Sequence, residues 1–285
     1  MPKSLTEVQI AAYEREGYLA PIAVMSAAEA RALRARLEAI EAGMGGPLRG
    51  DIRHKAHLLF PFLAELIRHP AILDAIEDLL GPDILCWNSN FFIKEAETPS
   101  FVSWHQDSTY WGLSSPDVCT AWVALTPSNF DNGAMAVIPR THTRDQIPHR
   151  DTFDRHNLLT RGQEVAVAVA VDERDAAPLV LEAGEMSLHH VRLVHGSPPN
   201  PSPDRRIGFA IRYIPTRVRQ IEGEDSATLV RGADRFHNFE LEPRPERDMQ
   251  EDMLALHRRL TERAAQILYK GTGVNTFNDP RAVRG

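Results

Sequence analysis

The stretch GPDILCWNSNFFIK, residues 81–94, is where the spacing of apolar residues changes along the chain. Before it, apolar residues recur at helical spacing, and after it they recur with a period near two. The pair Gly81-Pro82 is typical of a helix end. The run 84–94 is rich in apolar and aromatic residues, which favour strands. The sequence therefore predicts a mainly helical first third and a β-rich region after it.

Helical spacing predicts four helices, over residues 5–16, 27–43, 59–80 and 246–269. The second has a clear start signal, because Ser26 precedes it and Glu29 follows three positions later. That spacing is a capping box, in which each residue satisfies a backbone N–H of the other. The last stretch, residues 275–285, is predicted to be irregular coil.

Eight β-rich runs are predicted, over residues 84–94, 101–104, 119–125, 134–138, 164–171, 178–182, 186–194 and 206–214. No helix-length segment alternates with them, which argues against βαβ units. The pattern favours a mainly β fold, an antiparallel barrel or a double-sheet jelly roll, with flanking helices.

Domain organisation follows from the same pattern. We find no linker, so we predict a single domain over residues 1–285. Its predicted parts are a helical flank at 1–81, a jelly-roll core at 82–214, and a C-terminal helix and tail at 215–285. The polar segment 140–163 lacks any period, and a loop of that length is uncommon unless it is functional or disordered. We expect it to be a lid-like loop.

Composition limits the partners. The chain has 285 residues, of which 43 % are hydrophobic and 25 % charged, values typical of a globular protein. Its net charge of -7 argues against a nucleic-acid or anionic-membrane surface, since either favours a basic patch. A small-molecule substrate is therefore expected, and the oligomeric state is left open.

The cellular location is predicted from cysteines and apolar runs. Only Cys86 and Cys119 are present, without CxxC spacing, which favours buried thiols in a reducing compartment. No apolar run approaches the roughly 18 residues of a membrane span, and the first residues lack the apolar core of a signal peptide. We predict a cytoplasmic protein.

The segment SWHQDSTYWG, residues 103–112, contains a candidate pair of metal ligands. On a strand, residues i and i+2 point to the same face, so His105 and Asp107 could share one cation. Composition alone yields about one such pair in a chain with these frequencies, and a second does occur, at His149 and Asp151. That second pair lies in the polar loop, where a solvated loop charge is expected.

A third candidate ligand strengthens the first pair. His195, in LVHGSPPN, ends a predicted strand, and a late strand of a barrel could bring it back to His105 and Asp107. Two imidazoles and one carboxylate on one face of a metal form the facial triad that suits iron(II), with positions left for cosubstrate and oxygen. A zinc-dependent hydrolase would use the same ligands and stays an alternative here.

Arg206 is the residue that disfavours zinc hydrolysis. On a strand it shares one face with Gly208 and Ala210, whereas the apolar residues at 207, 209, 211 and 213 share the other face and are expected to pack outward against helices. A face of small residues with one guanidinium suits a pocket for a carboxylate ligand, because the guanidinium is a planar donor fork. The alternative is a surface ion pair.

Six segments together resemble the phytanoyl-CoA dioxygenase family of iron(II)- and 2-oxoglutarate-dependent oxygenases. They occur in the family's order and spacing, and Arg206 follows the last of them. They are FFIK (91–94), WHQD (104–107), CTAWVAL (119–125), NGAMAVIPRTH (132–142), AGEMSLHH (183–190) and LVHGSPPN (193–200).

The resemblance implies a double-stranded β-helix core, of the jelly-roll or cupin-like kind. It implies that His105, Asp107 and His195 bind iron(II), with O2 as a cosubstrate. Arg206 would bind the distal carboxylate of 2-oxoglutarate. The same matching implies further residues around the cosubstrate, namely Ser197, Trp122 and Lys94.

Hydroxylation of an unactivated C–H bond is the outcome that this resemblance favours. Halogenating relatives replace the carboxylate ligand with a small residue, and this chain keeps Asp107. The alternatives are a desaturase or epimerase with the same cofactors, a metal-dependent hydrolase, or a non-enzymatic β-barrel that binds a small molecule. His189, by strand parity with His195, and Asn90, which shares a face with Lys94, are the candidate substrate contacts.

Overall fold

The computed structural model describes residues 2–166 and 172–279. Most of the predicted strand 164–171 and the end of the predicted coil 275–285 lie outside the described residues. The described helices are α1 (Glu7–Glu16), α2 (Ala27–Met44), α3 (Pro61–Leu66), α4 (Pro70–Leu80) and α5 (Glu251–Leu268). The described strands are β1 (Tyr18–Ala23), β2 (Ile84–Lys94), β3 (Val102–His105), β4 (Cys119–Ala124), β5 (Ala136–Ile138), β6 (His149–Arg150), β7 (Glu164–Val165), β8 (Ala177–Pro178), β9 (Glu185–His190), β10 (Val194–Ser197), β11 (Arg206–Pro215), β12 (Ser226–Arg231) and β13 (Glu240–Leu241).

The capping box predicted at the start of α2 is confirmed. The Ser26 hydroxyl accepts a hydrogen bond from the Glu29 amide at 3.2 Å, and the Glu29 carboxylate accepts one from the Ser26 amide at 2.8 Å. These two bonds satisfy backbone donors that the first turn of a helix cannot satisfy internally. None of the described helices is long and apolar enough to cross a membrane.

The single helix predicted over 59–80 is wrong, because the chain forms two helices there. The first, α3, ends at Leu66, and α4 begins at Pro70, its first helical residue. Proline has no N–H and its ring clashes with the preceding turn, so it starts a helix more readily than it continues one. The apolar spacing persists across the break, which is why the pattern alone did not reveal it.

Two sheets make up the β region, and the predicted mainly β fold with flanking helices is confirmed. The larger has the order β1-β9-β4-β11-β2-β12-β13, and the smaller has the order β3-β10-β5-β8. The short strands β6 and β7 pair separately. Strands β1, β12 and β13 lie outside the predicted core at 82–214, so the flanking segments also supply sheet.

The two faces of the larger sheet have different neighbours. Its outer face packs against helices, and Phe209 and Ile211 of β11 share one apolar cluster with Leu63 and Ile72 from α3 and α4. The outward packing predicted for this face of β11 is therefore confirmed. The inner face turns towards the smaller sheet, so that its side chains meet those of the smaller sheet in a second, smaller cluster.

The strand predicted over 186–194 is interrupted. Strand β9 ends at His190 in the larger sheet, and β10 begins at Val194 in the smaller one. The His190 carbonyl accepts a hydrogen bond from the Leu193 amide at 2.9 Å, which closes the turn between them. The predicted strand 186–194 therefore contributes one strand to each sheet and connects the two sheets.

Candidate metal centre and cosubstrate pocket

Cross-strand pairing brings the two predicted histidine ligands together. His105 of β3 and His195 of β10 are direct partners in an antiparallel pair, and their ring centroids are 4.2 Å apart. Directly opposed residues in such a pair have neighbouring Cβ atoms, so their side chains meet on one face. His195 follows His105 by 90 positions in the chain, and the sheet brings the two together, as the sequence predicted.

Asp107 completes the cluster from a different local structure than predicted. Strand β3 ends at His105, and Asp107 begins a short 3-10 turn, Asp107–Tyr110. Its carboxylate Oδ1 nevertheless lies 3.2 Å from His105 Nε2. Donor atoms of His105, Asp107 and His195 all lie within 4.8 Å of one another, and no other group of three such side chains in the described residues does so.

Backbone carbonyls orient both imidazoles. His105 Nδ1 lies 2.9 Å from the Ser103 carbonyl, and His195 Nδ1 lies 2.9 Å from the Leu193 carbonyl. A carbonyl can only accept, so each Nδ1 carries a proton, and each Nε2 is the nitrogen left for a metal ion. Such carbonyl contacts are the usual support for histidines that bind metals. The three side chains therefore fit a divalent metal ion.

The electrostatics agree with that fit. Burial alone would raise the pKa of Asp107, but the hydrogen bond with His105 and the nearby His195 and Arg212 lower it below its ordinary range. Burial lowers the pKa of His195 well below its ordinary value. An ionised carboxylate and a neutral imidazole are the protonation states that a metal requires of its ligands.

Arg206 lies beside this cluster on the inner face of β11. It is 2 % exposed, and its Nη1 donates to the Gly133 carbonyl at 2.7 Å. Gly133 has a φ of +73°, and a Cβ there would lie 2.4 Å from the Pro198 carbonyl oxygen, so only glycine fits this turn. Arg206 Nε has no hydrogen-bond partner among the described residues, and burial lowers the pKa of this arginine to about 10.

Lys94 and Ser197 lie at the same end of the pocket. Lys94 Nζ donates to Ser197 Oγ at 2.6 Å and also contacts the Pro198 carbonyl. Burial and the charge of Arg206 lower the pKa of Lys94 to about 6. Arg206, whose pKa stays about 10, is therefore the stronger cation at this end of the pocket. Contact of Lys94 and Ser197 with 2-oxoglutarate stays a prediction.

Trp122 occupies the inner face next to Arg206, with its ring centroid 5.2 Å from the guanidinium carbon. This position depends on Gly208, because a Cβ added there would lie 1.8 Å from Trp122 Cζ2. The small-residue face predicted for β11 thus has a concrete use, since it leaves room for the indole. Trp122, Arg206 and Ser197 line, together with the metal cluster, a pocket of about 390 Å³, its opening included.

The two predicted substrate contacts also border the site. His189 is 2 % exposed, and its ring centroid lies 4.9 Å from that of His195. His189 and His195 were predicted to share one face of a single strand, which is wrong because β9 and β10 are separate strands. His189 reaches the pocket from the opposite sheet. Asn90 lies on β2, and its Oδ1 contacts the Arg212 guanidinium.

A wider cleft adjoins the metal pocket, and most of its lining was not predicted. It has about 970 Å³ of empty space, its open mouth included, and reaches Asp107. Arg212 and Phe92 line both the cleft and the metal pocket. Arg212 was within reach of the sequence, because it continues the face of Arg206, Gly208 and Ala210. The other walls come from distant segments, among them Arg53, Trp87, Trp111, Leu268 and Phe277.

The second histidine-aspartate pair was predicted to be solvated loop charge, and that is wrong. His149 is partly buried, and its Nε2 accepts a hydrogen bond from the Gln106 backbone amide at 2.9 Å. Gln106 lies between the candidate ligands His105 and Asp107. Asp151 pairs with Arg161. The loop 140–163 is thus packed against the segment of the metal cluster, although its role as a lid stays a prediction.

Several of the unsatisfied buried polar atoms in the described residues belong to this site. The buried atoms with no hydrogen-bond partner among the described residues include Asn88 Oδ1, Thr120 Oγ1, His189 Nδ1, Arg206 Nε and Arg212 Nε, all on side chains that line the pocket or the cleft. Buried polar groups are normally paired. Of these atoms, Arg206 Nε and Arg212 Nε are donors that a carboxylate would satisfy, so the site fits a bound dicarboxylate.

Comparison with known families agrees with this site. The family model described as "Phytanoyl-CoA dioxygenase (PhyH)" matches residues 13–208, which include all three candidate ligands and Arg206. The match also spans β1, which lies inside the predicted helical flank 1–81.

Two curated relatives that are similar to this chain are also named as dioxygenases. A probable alpha-ketoglutarate-dependent hypophosphite dioxygenase of Stutzerimonas stutzeri is 32 % identical over 55 % of this chain and 54 % of its own, so the match spans about half of that relative. An ectoine dioxygenase of Bordetella bronchiseptica is 25 % identical over 74 % of this chain and 75 % of its own.

A solved structure extends the likeness to nearly the whole chain. It is described as the apo form of the non-heme monooxygenase ThoJ, with a TM-score of 0.79 and 35 % identity. The match covers 91 % of this chain and 96 % of that one.

Proposed function

We propose that this chain, which belongs to the phytanoyl-CoA dioxygenase family, hydroxylates an unactivated C–H bond of a small or medium polar metabolite. The family consists of iron(II)- and 2-oxoglutarate-dependent oxygenases, and relatives of this chain include an L-proline trans-4-hydroxylase from Streptomyces griseoviridis. The expected products are the hydroxylated metabolite, succinate and carbon dioxide.

One observation supports the proposal above all others. The donor atoms of His105, Asp107 and His195 converge within 4.8 Å, next to Arg206, a buried cation that forms no ion pair with a described carboxylate. A zinc hydrolase needs only the three metal ligands. Arg206 in addition suits a cosubstrate that carries a carboxylate.

Each residue of the site has a separate role in the proposed reaction. His105, Asp107 and His195 would hold iron(II), and three protein ligands would leave coordination positions for 2-oxoglutarate and oxygen. Arg206 binds the distal carboxylate of 2-oxoglutarate, and the Trp122 indole forms a wall of that pocket. When bound, iron(II) supplies the oxygen chemistry, in which decarboxylation of 2-oxoglutarate provides two electrons, one oxygen atom enters succinate and the other enters the product.

Exclusion of water falls to the loop 140–163 in this proposal. Its Leu158 and Leu159 line the cleft, and the Leu158 amide donates to the Phe101 carbonyl at 2.9 Å. Closure of such segments commonly protects reactive chemistry from solvent.

The test is an anaerobic titration of the protein with iron(II) and 2-oxoglutarate, followed by the weak visible band of the chelate. We expect the wild type to develop the band and His105→Ala to lose it. His237→Asn is the matched control, because that histidine side chain is 79 % exposed and lies outside the site. Absence of the band in the wild type would overturn the proposal.

A second measurement separates hydroxylation from desaturation or epimerisation. With labelled O2 and a metabolite that stimulates succinate release, a hydroxylase transfers one labelled atom to the product. A desaturase or epimerase transfers none, so an unlabelled product would contradict hydroxylation while leaving the cofactor assignment intact.

A further inference from the structure

Arg212 is a second buried guanidinium at the site, and the roles proposed above do not use it. It is 5 % exposed on the inner face of β11, two positions beyond Ala210. Its position is shared, since it lines both the metal pocket and the wider cleft. A group bound to Arg212 from the cleft therefore lies next to the metal cluster.

The hydrogen bonds of Arg212 are incomplete. Nη1 contacts Asn90 Oδ1, which fixes one end of the guanidinium. Nε has no acceptor among the described residues. The Nε–Nη2 edge is a planar pair of donors, and such an edge matches the two oxygens of a carboxylate.

The charge of Arg212 is also uncompensated by a direct partner. It forms no ion pair with any carboxylate in the described residues, although Asp107 is near enough to act on it electrostatically. Asp107 faces His105, and bound metal takes up its charge in the proposed enzyme. A buried cation without a counter-ion is costly, and a ligand anion would offset that cost.

Other charged groups of the cleft are already engaged. Asp225 accepts hydrogen bonds from Trp87 Nε1 at 2.7 Å and from the Ser226 amide at 2.8 Å. Arg53 donates to the Phe91 carbonyl at 3.1 Å. Arg212 is thus the group whose charge and free donors together point to a ligand.

Aromatic side chains surround the guanidinium. Its central carbon lies 5.6 Å from the Phe92 ring centroid and 5.5 Å from that of Trp111. The Trp111 ring in turn lies 4.9 Å from that of Trp87. An apolar body of the substrate would contact these rings, while its acidic end reaches Arg212.

We infer that the primary substrate is an organic acid with an apolar body, and that Arg212 binds its carboxylate. This inference rests on the proposed function, because it concerns the substrate of the same site. Arg206 and Arg212 then serve two different carboxylates, one from 2-oxoglutarate and one from the substrate. The acid is held beside the metal pocket, so the oxidised carbon lies close to the carboxylate.

The experiment uses the full chain loaded anaerobically with iron(II) and 2-oxoglutarate. The probes are 3-phenylpropanoate and 4-methylpentanoate, each compared with its own primary amide by calorimetric titration. We expect each acid to bind the wild type at least about 10-fold more tightly than its amide. Arg212→Gln should weaken the acids by about 10- to 100-fold and leave the amides unchanged. Arg212→Lys should fall between, since it keeps the charge without the fork.

The chelate band separates the possible failures. If the wild type forms no band, the proposed function is wrong. If the band forms but no acid binds more tightly than its amide, the assignment of Arg212 is wrong and the proposed function stands. Loss of the band in Arg212→Gln with retention in Arg206→Gln would make Arg212 the cosubstrate anchor and would also overturn the inference. The acid-to-amide ratio of the wild type decides the matter even if Arg212→Gln fails to fold. Arg174→Gln is the control, because that side chain is 88 % exposed.

Discussion

Two clusters of buried charge in this molecule differ in whether their charges are paired. The cluster of Lys55, His57 and Glu242, between the helical layer and β12, contains a cation and an anion. The pair Arg206 and Arg212, on the inner face of β11, contains cations that have no described carboxylate at ion-pair distance. The first cluster is complete within the protein, whereas in the second Arg206 Nε and Arg212 Nε have no acceptor among the described residues.

In the cluster of Lys55, His57 and Glu242, the side-chain donors all have acceptors. Lys55 Nζ donates to Glu242 Oε1 at 2.6 Å and to the Trp87 carbonyl at 2.8 Å. His57 lies 2.7 Å from Ser89 Oγ and 3.1 Å from Glu242 Oε2. Since Lys55 also fixes the backbone of Trp87, this cluster supports the wall of the cleft without facing the ligand.

The difference teaches how to separate structural charge from functional charge. Burial and a shifted pKa occur in both clusters, so neither feature identifies a ligand site. A paired buried charge supports the fold, because removal of one partner leaves the other uncompensated. A buried charge with unused donors on a cavity wall is the better indication of a ligand.

The largest effect is expected from Glu242→Gln. This change leaves the Lys55 ammonium without its counter-ion in a buried position, so the free energy of unfolding should fall by about 3–5 kcal/mol. Chemical denaturation measures it. Glu240→Gln is the control, because Glu240 pairs with Arg259 at the surface and should lose at most about 1 kcal/mol. Equal losses in both variants would contradict the distinction.

The same cluster predicts a pH dependence. Burial alone would raise the pKa of Glu242, but the Lys55 charge and the His57 hydrogen bond lower it below the ordinary value of 4.5. The ionised carboxylate therefore stabilises the fold above pH 4.5, and this contribution is lost as the pH falls towards the lower folded pKa. Glu242→Gln should lose less stability than the wild type over that interval.

Arg206→Gln is expected to have the next largest effect, on cosubstrate binding. Loss of a bidentate, charge-assisted contact should weaken 2-oxoglutarate by about 100-fold, or about 2.7 kcal/mol, in the anaerobic chelate titration. The free energy of unfolding should change far less than in Glu242→Gln, because no ion pair is broken. Arg205→Gln is the control, since Arg205 is the adjacent residue and its guanidinium pairs with Glu41 and Glu95, away from the residues that line the pocket. Similar affinities in the two variants would remove Arg206 from the cosubstrate site.

Strand parity accounts for much of what the sequence could predict about the site. Period two separated Arg206 from Arg205, and the same rule extended by two residues would have included Arg212. It failed at His189, because the turn between β9 and β10 lies inside an apolar run with no glycine or proline to mark it. Register within a strand is a local property, whereas the sheet that a strand joins is set by tertiary packing.

The cleft was beyond local patterns for a related reason. Helical spacing predicted a C-terminal helix, but it shows only which face is apolar, not what that face covers. Leu268, in the predicted C-terminal helix, and Phe277, in the predicted coil, both reach the cleft. Asp107 illustrates the opposite case, because its backbone is a 3-10 turn instead of a strand and its carboxylate still reaches His105.

The smallest effect is expected from Gly208→Ala, which compares the two faces of one strand. The added methyl group would overlap the Trp122 indole and displace this wall of the pocket, so 2-oxoglutarate should bind about 5- to 10-fold more weakly. Ile211→Val removes a methyl group from the outer face, where it should cost about 0.5–1.5 kcal/mol of stability and leave the affinity unchanged. If Ile211→Val weakens 2-oxoglutarate as much as Gly208→Ala does, the inner face has no special role in binding, and the contrast between a face built for packing and a face built for ligands fails.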